Sequence, residues 1–157
     1  MNVAAPSFRL LLRVRYAECD QQGVVFNARY GDYVDLFMSE LVRAAFGSYQ
    51  AMIDAHLDWQ VVRYLIEWKS PARFDDVLSL TVTGLELKNT SFTTVIGISR
   101  HPAGEALARA EVVDVVVNTR DGAKTRIPDW CRDKLRAAAA GGTVDFSGGA
   151  GCSRLAG

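Results

Sequence analysis

The stretch Tyr30-Gly31-Asp32-Tyr33-Val34-Asp35-Leu36-Phe37-Met38-Ser39-Glu40-Leu41-Val42-Arg43-Ala44-Ala45-Phe46-Gly47 decides the fold. Tyr30, Tyr33, Val34, Phe37, Met38, Leu41, Val42 and Ala45 recur at helical spacing, while Asp32, Ser39 and Arg43 fall on the other side. That is an amphipathic helix, and Gly47 supplies its stop. Its apolar stripe is broad and aromatic, as befits a helix laid on a sheet rather than one in a loose bundle. Phe37, Met38, Leu41 and Val42 are therefore expected in the core.

Working outward, Arg9 to Tyr16 reads as a Leu- and Val-rich strand, followed by the turn-forming Glu18-Cys19-Asp20-Gln21-Gln22-Gly23. Beyond the helix comes a polar connection, and then strand signals dominate. Val62, Tyr64, Ile66 and Trp68 alternate with Val61, Arg63, Leu65 and Glu67, which predicts a strand with one more apolar face, ended by Pro71. Leu78, Leu80 and Val82 alternate with Ser79, Thr81 and Thr83. Gly84 then shifts the alternation to Leu85 and Leu87, which predicts a bulge or tight bend there. Ser91–Ser99 and Ala106–Thr119 complete the strands, with turns at Pro102-Ala103-Gly104 and Asp121-Gly122. Pro128 to Ala140 reads as a short helix opened by Pro128 or Asp129. One domain over residues 1–140 is expected, with a Gly- and Ala-rich, mobile tail over 141–157. One long helix followed by an antiparallel meander argues for an α+β fold, whose sheet edges invite a second subunit.

Composition narrows the functions. The 157 residues fit one domain, and 49% hydrophobic content supports a buried core. Lys and Arg number 18 against 18 Asp and Glu, which removes the case for a broadly basic nucleic-acid surface. No apolar run approaches the roughly 20 residues of a membrane span, and the start of the chain carries no secretory pattern. Cys19, Cys131 and Cys152 are odd in number and irregular in spacing, which suits a reducing cytoplasm better than a disulfide framework. His56 and His101 both sit where surface loops are expected. The chain has no G-x-S-x-G elbow, no H-E-x-x-H or Cys/His metal cluster and no phosphate-cradling glycine loop. No metal and no cofactor is expected, so any catalysis rests on carboxylates, backbone N–H groups and a thiol.

The segment Arg15-Tyr16-Ala17-Glu18-Cys19-Asp20-Gln21-Gln22-Gly23-Val24-Val25-Phe26-Asn27-Ala28-Arg29-Tyr30 places a carboxylate between a strand and a helix start. A helix N-terminus offers unpaired N–H donors and the positive end of a dipole, which suit both an ionised Asp and a developing oxyanion. Turn chemistry alone also permits Asp20 simply to cap its turn.

This segment resembles the signature of the 4-hydroxybenzoyl-CoA thioesterase-like group of hot-dog proteins, which includes acyl-CoA thioesterases associated with the Tol-Pal system. Tyr16, Asp20, Gly23-Val24-Val25-Phe26 and Tyr30 fill its positions, and Trp68-Lys69-Ser70-Pro71-Ala72-Arg73-Phe74-Asp75-Asp76 resembles the family's lead into its next strand. The resemblance implies a hot-dog fold, a sheet wrapped round the long helix, in a homo-oligomer (a dimer or a tetramer of dimers) with sites at the subunit interface. It further implies hydrolysis of an acyl thioester of coenzyme A or an acyl-carrier protein, the alternatives being a non-catalytic acyl-CoA or acyl-carrier binding module and a hot-dog hydratase or dehydratase. Asp20 would attack the thioester or activate water, and the backbone N–H of Asn27 would face the carbonyl oxygen. Gly23, Val24, Val25, Phe26 and Tyr30 would line the substrate site, and Asp35 matches a second acidic position of some relatives. Asn27 departs from relatives with His or Tyr there, which leaves it only a main-chain role. Lys88, Arg120, Lys124 and Arg126 flank strand turns and are candidates for the CoA phosphates.

Overall fold

The computed structural model describes residues 7–148. In chain order it contains β1 (Arg9–Arg13), α1 (Arg29–Phe46), α2 (Tyr49–Asp54), β2 (Leu57–Trp68), β3 (Val77–Leu87), β4 (Ser91–His101), β5 (Glu105–Asn118), α3 (Asp129–Ala139) and β6 (Thr143–Phe146). The six strands form one sheet in the order β2-β5-β4-β3-β1-β6. It wraps α1 as the hot-dog arrangement requires. From α1, Tyr30, Tyr33, Val34, Phe37, Leu41 and Val42 are buried against Leu10, Leu12, Leu78, Leu80, Ile96, Ile98, Ala110 and Val112 of the strands. Phe8 and Phe37 meet edge to face with centroids 5.3 Å apart. Met38 is only partly buried, because its side of α1 faces a cavity rather than the sheet.

Several expectations need correction. The first strand ends at Arg13, and Tyr16–Glu18 curls into a 3₁₀ turn because the Glu18 carboxylate captures the Arg15 N–H at 2.8 Å. The polar connection after α1 contains α2, capped where Ser48 Oγ accepts from Ala51 N–H at 3.1 Å. The strands are no simple meander. β2 pairs with β5 rather than with β3, its neighbour in sequence. The connection over residues 69–76 therefore crosses the end of the sheet. β2 is an edge strand, so Val61, Val62, Tyr64, Leu65 and Trp68 stay exposed where a single apolar face is expected. Finally, the Gly-rich segment after Gly141 contains β6, which adds in parallel to the free edge of β1 and is held by Arg13 Nε donating to Ser147 O at 2.9 Å. Cys152 and the rest of residues 149–157 lie outside the described residues.

Other expectations match. The β3–β4 register shifts between Val82 and Gly84, where a Cβ would come within 3.3 Å of Val95. Pro128 immediately precedes α3, which packs Cys131 and Leu135 into the core. His56 and His101 are exposed. Among the described residues no helix is long and apolar enough to cross a membrane.

Leu41 lies at the centre of this packing. Leu41→Ala is expected to cost about 2–5 kcal/mol in urea denaturation, and a loss well under 1 kcal/mol would mean the helix buries another face.

Candidate active site

The loop between β1 and α1 is fixed from three directions. Glu18 is 5% exposed and anchors it. Its Oε1 accepts from Arg15 Nε and Nη2 at 2.9 and 2.7 Å, and its Oε2 accepts from Arg15 N–H and from the Tyr33 hydroxyl, both at 2.8 Å. Burial alone would raise the Glu18 carboxyl, but these bonds from Arg15 and Tyr33 outweigh it and hold the group below the usual carboxylate range. Burial, then the bond to Glu18, push the Tyr33 phenol well up, so it remains a donor. Second, the loop is stitched to the connection that crosses the sheet end. Val25 N–H donates to Ala72 O at 2.8 Å and Val24 bridges to Arg73. That connection is held in turn by Arg100, which donates to Pro71 O at 2.9 Å and to Asp76 at 3.1 Å. Third, Phe26 N–H donates to Glu18 O at 2.9 Å, closing the loop on itself.

Asp20 sits half-buried at the tip. Its Oδ1 accepts from Gln22 N–H at 2.8 Å, the turn-capping role that turn chemistry allowed. Oδ2 has no protein donor among the described residues, so half of the carboxylate is available. Gly23 serves the turn by its φ of +73°, with its N–H on Asp20 O at 2.9 Å, rather than by clearing space. Asp20, Val24, Val25, Phe26, Asn27 and Tyr30 line one cleft with Trp68, Lys69, Ser70 and Pro71 from the crossing connection. Tyr30 and Trp68 meet edge to face there at 6.1 Å. The N–H groups of Asn27 and Ala28, immediately before the first turn of α1, have no protein acceptor among the described residues. A carboxylate oxygen and free N–H donors at a helix start thus share one cleft, the parts needed to attack a carbonyl and stabilise its oxyanion.

Not all the candidates gather there. Asp35 is exposed and lines a second cavity of ≈ 440 Å³ between α1, β2 and β5, farther along the helix from Asp20. Lys88, Arg120, Lys124 and Arg126 lie at the opposite end of the sheet, where Leu57 pairs with Asn118, whereas the Asp20 cleft is at the end where Trp68 pairs with Ala108. Three of them have partners, Lys88 with Glu86 at 3.7 Å, Arg120 with His56 at 2.6 Å and Arg126 with Asp129 at 2.7 Å. A single subunit cannot present them to the cleft, since the twelve residues of β2 span nearly 40 Å.

Sequence reasoning missed Glu18, Tyr33 and Arg100: Arg15 stands only three residues before Glu18, but the Glu18–Tyr33 bond and the partners of Arg100 are brought together by folding. It also missed Asp114, a lone acid in the run Val112-Val113-Asp114-Val115-Val116-Val117, and that interruption was the available signal. Among the described residues no group of three or more His, Cys, Asp or Glu converges as metal ligands would.

This fold and cleft define a hot-dog enzyme of thioester chemistry. Residues 14–135 match the thioesterase-like superfamily, and the chain belongs to it. The acyl-CoA thioester hydrolase YbgC of Escherichia coli is 30% identical over 111 residues, covering 71% of this chain and 82% of that protein. A crystal structure of a hypothetical protein from Aquifex aeolicus superposes with a TM-score of 0.73 at 27% identity, covering 82% of this chain and 98% of that one. The probable thioesterase YbaW of Escherichia coli shares the fold with a TM-score of 0.74 at 23% identity, over 83% of this chain and 98% of that one.

Glu18→Gln, which keeps the shape but not the charge, is expected to lower stability by about 1–3 kcal/mol at neutral pH. Because the folded state holds this carboxyl below its ordinary value, the contribution is complete above the ordinary range and is lost as pH falls through the lowered value. The deficit of the variant in urea denaturation should therefore shrink below about pH 4, and a deficit that grew on acidification would contradict the network.

Proposed function

We propose that this chain hydrolyses acyl-CoA thioesters, an acyl-carrier protein being the alternative donor, with Asp20 as the reacting carboxylate. The observation that carries this reading is the shared cleft, with the free Asp20 oxygen and the unpaired Asn27 N–H at the start of α1. A thioester carbonyl is already electrophilic. It needs an anionic nucleophile or base on one side and N–H donors on the other. Asp20 either adds to the carbonyl carbon, expelling the thiolate and leaving a mixed anhydride that water opens, or takes a proton from the water that attacks. Val24, Val25 and Phe26 give the acyl group its first apolar wall, with Gly23 at the turn and Tyr30 beneath. The free thiols of Cys19 and Cys131 fit a reducing, cytoplasmic setting.

The working unit in this reading is a dimer joined through β2. That strand leaves one long backbone edge unpaired and exposes Val62 and Leu65 beside it, an arrangement that monomers avoid. Antiparallel pairing of two β2 strands about a two-fold axis brings the Leu57 end of one copy to the Trp68 end of the other. Arg120 and Lys124 of the second copy then approach the mouth of the Asp20 cleft, where a CoA phosphate would lie.

Asp20→Asn is expected to fold normally, to bind a non-hydrolysable acyl-CoA analogue and to lose about 10²–10⁴ in turnover, or more if the carboxylate is a nucleophile. Near-wild-type turnover in a thiol-release assay would remove Asp20 from the mechanism. A wild type that binds the analogue and hydrolyses nothing would make this a binding module. The dimer is tested separately by sedimentation velocity. Val62→Asp combined with Leu65→Asp should give inactive monomers, and a wild type that is monomeric and active at micromolar concentration would refute the shared site.

A further inference from the structure

The cavity between α1 and β2 carries a feature that hydrolysis as such does not use. Its walls are mainly apolar, with Val34, Met38 and Val42 from α1 facing Trp59, Val61 and Val112. Asp114 of β5 also lines it. This side chain is 1% exposed, and its Oδ2 has no hydrogen-bond partner. The other buried side-chain atom without a partner among the described residues is Thr94 Oγ1. Phe92 pairs with Asp114 and Thr94 with Val112, so Thr94 is the diagonal neighbour of Asp114 across the β4–β5 pair. An acceptor and a hydroxyl are thus left unsatisfied on one face of the β4–β5 pair, and of the two only Asp114 lines the cavity, where an unmet acceptor costs stability unless something else bonds to it. The other titratable groups facing the cavity do not serve. Arg43 is paired with Glu40, Tyr49 donates to Asp58 at 2.7 Å, and Tyr64, its phenol pushed up to about 12 by burial and then by Asp35 and Asp32, points at Gly31 O. Asp35, a second acid on the wall, makes no hydrogen bond to Asp114 Oδ2.

The cavity is also joined to the cleft. A shallow hollow shares Asn27 and Trp68 with the Asp20 cleft and Tyr64 with the cavity, so a trough runs along α1 beneath β2. Tyr64 crosses it, with its hydroxyl 3.4 Å from Gly31 O, a contact long enough for a chain in the trough to displace at small cost. Along β5, Ala108 lies opposite Trp68 of the cleft and Asp114 opposite Val61. Six residues of strand put Asp114 about 20 Å from the reacting end.

We propose, resting on the thioesterase reading above, that Asp114 is a specificity-determining residue: it accepts a hydrogen bond from a hydroxyl at the far end of a long acyl chain. A hydroxyl in the cavity donates to Asp114 Oδ2, the unsatisfied atom of the one buried carboxyl on its wall. A plain alkyl end would leave the buried carboxyl unpaired.

The test compares saturated acyl-CoAs in pairs, each chain with and without a terminal hydroxyl, over a range of lengths. For chains that span about 20 Å, wild type should favour the hydroxylated member in kcat/KM by about 10- to 100-fold, and for short chains it should not. Asp114→Val should abolish that preference, with Asp114→Leu as the second variant if the first does not fold. Equal kcat/KM within the long pairs, or a preference that Asp114→Val leaves intact, overturns the assignment and leaves a buried water as the partner of Asp114. Calorimetry with non-hydrolysable thioether analogues of the same pairs separates the two readings. If wild type hydrolyses nothing, the thioesterase reading fails, yet the hydroxyl preference in binding still decides the role of Asp114.

Discussion

α1 has a broad apolar face, and one helix cannot bury it alone. A sheet has to curl over it, and most of the architecture follows from that demand. The strands that cover Phe37 and Leu41 best lie in the middle of the sheet, where β3 and β4 place Leu80, Ile96 and Ile98 beneath the helix. Toward β2 the sheet pulls away from α1, and a trough opens where Met38 is only partly covered. The space for a ligand therefore lies where the wrapping is incomplete, along one side of the helix and at its first turn.

The helix start becomes a site because the loop before it is rigid. Glu18 joins three pieces that are separate in sequence, the end of β1 through Arg15, the loop through Phe26 and the helix through Tyr33. With those bonds made, Asp20 is aimed at the same space as the Asn27 N–H without any direct bond between them. In the proposed role Asp20 has to be both positioned and left reactive, and Glu18 supplies the anchoring that Asp20's single turn bond to Gln22 does not. Glu18 is buried and fully bonded, while Asp20 keeps one oxygen free.

Glu18 and Asp114 show how environment sets the behaviour of one chemical group. Both side chains are almost fully buried. Glu18 has four hydrogen bonds and titrates below the ordinary range, whereas Asp114 lacks a partner on Oδ2 and burial pushes it up to about 6. A folded-state value above the ordinary one means that Asp114 favours folding most at acid pH, and that this contribution is lost as the pH rises through about 6. A ligand donor at Oδ2 would offset that loss.

The amino-acid sequence by itself determined the helix, the bulge at Gly84, the start of α3 near Pro128 and Asp129 and the loop that carries Asp20, because each rests on local periodicity or turn chemistry among residues a few positions apart. Its likeness to known thioesterases covered the cleft residues Val24, Val25, Phe26 and Tyr30 for the same reason, the motif being contiguous. Only the tertiary structure decided what depends on distant residues. It moved β2 beside β5, because a strand's partner is set by which edge is free and not by chain order. It placed β6 on the open edge of β1, although Gly141 onward looks like a tail by composition. It sent Lys88, Arg120, Lys124 and Arg126 to the end of the sheet away from Asp20, since strand length fixes which turns share an end. It also buried Asp114 without a partner, which no local pattern encodes, because burial is a property of what the rest of the chain packs around a residue.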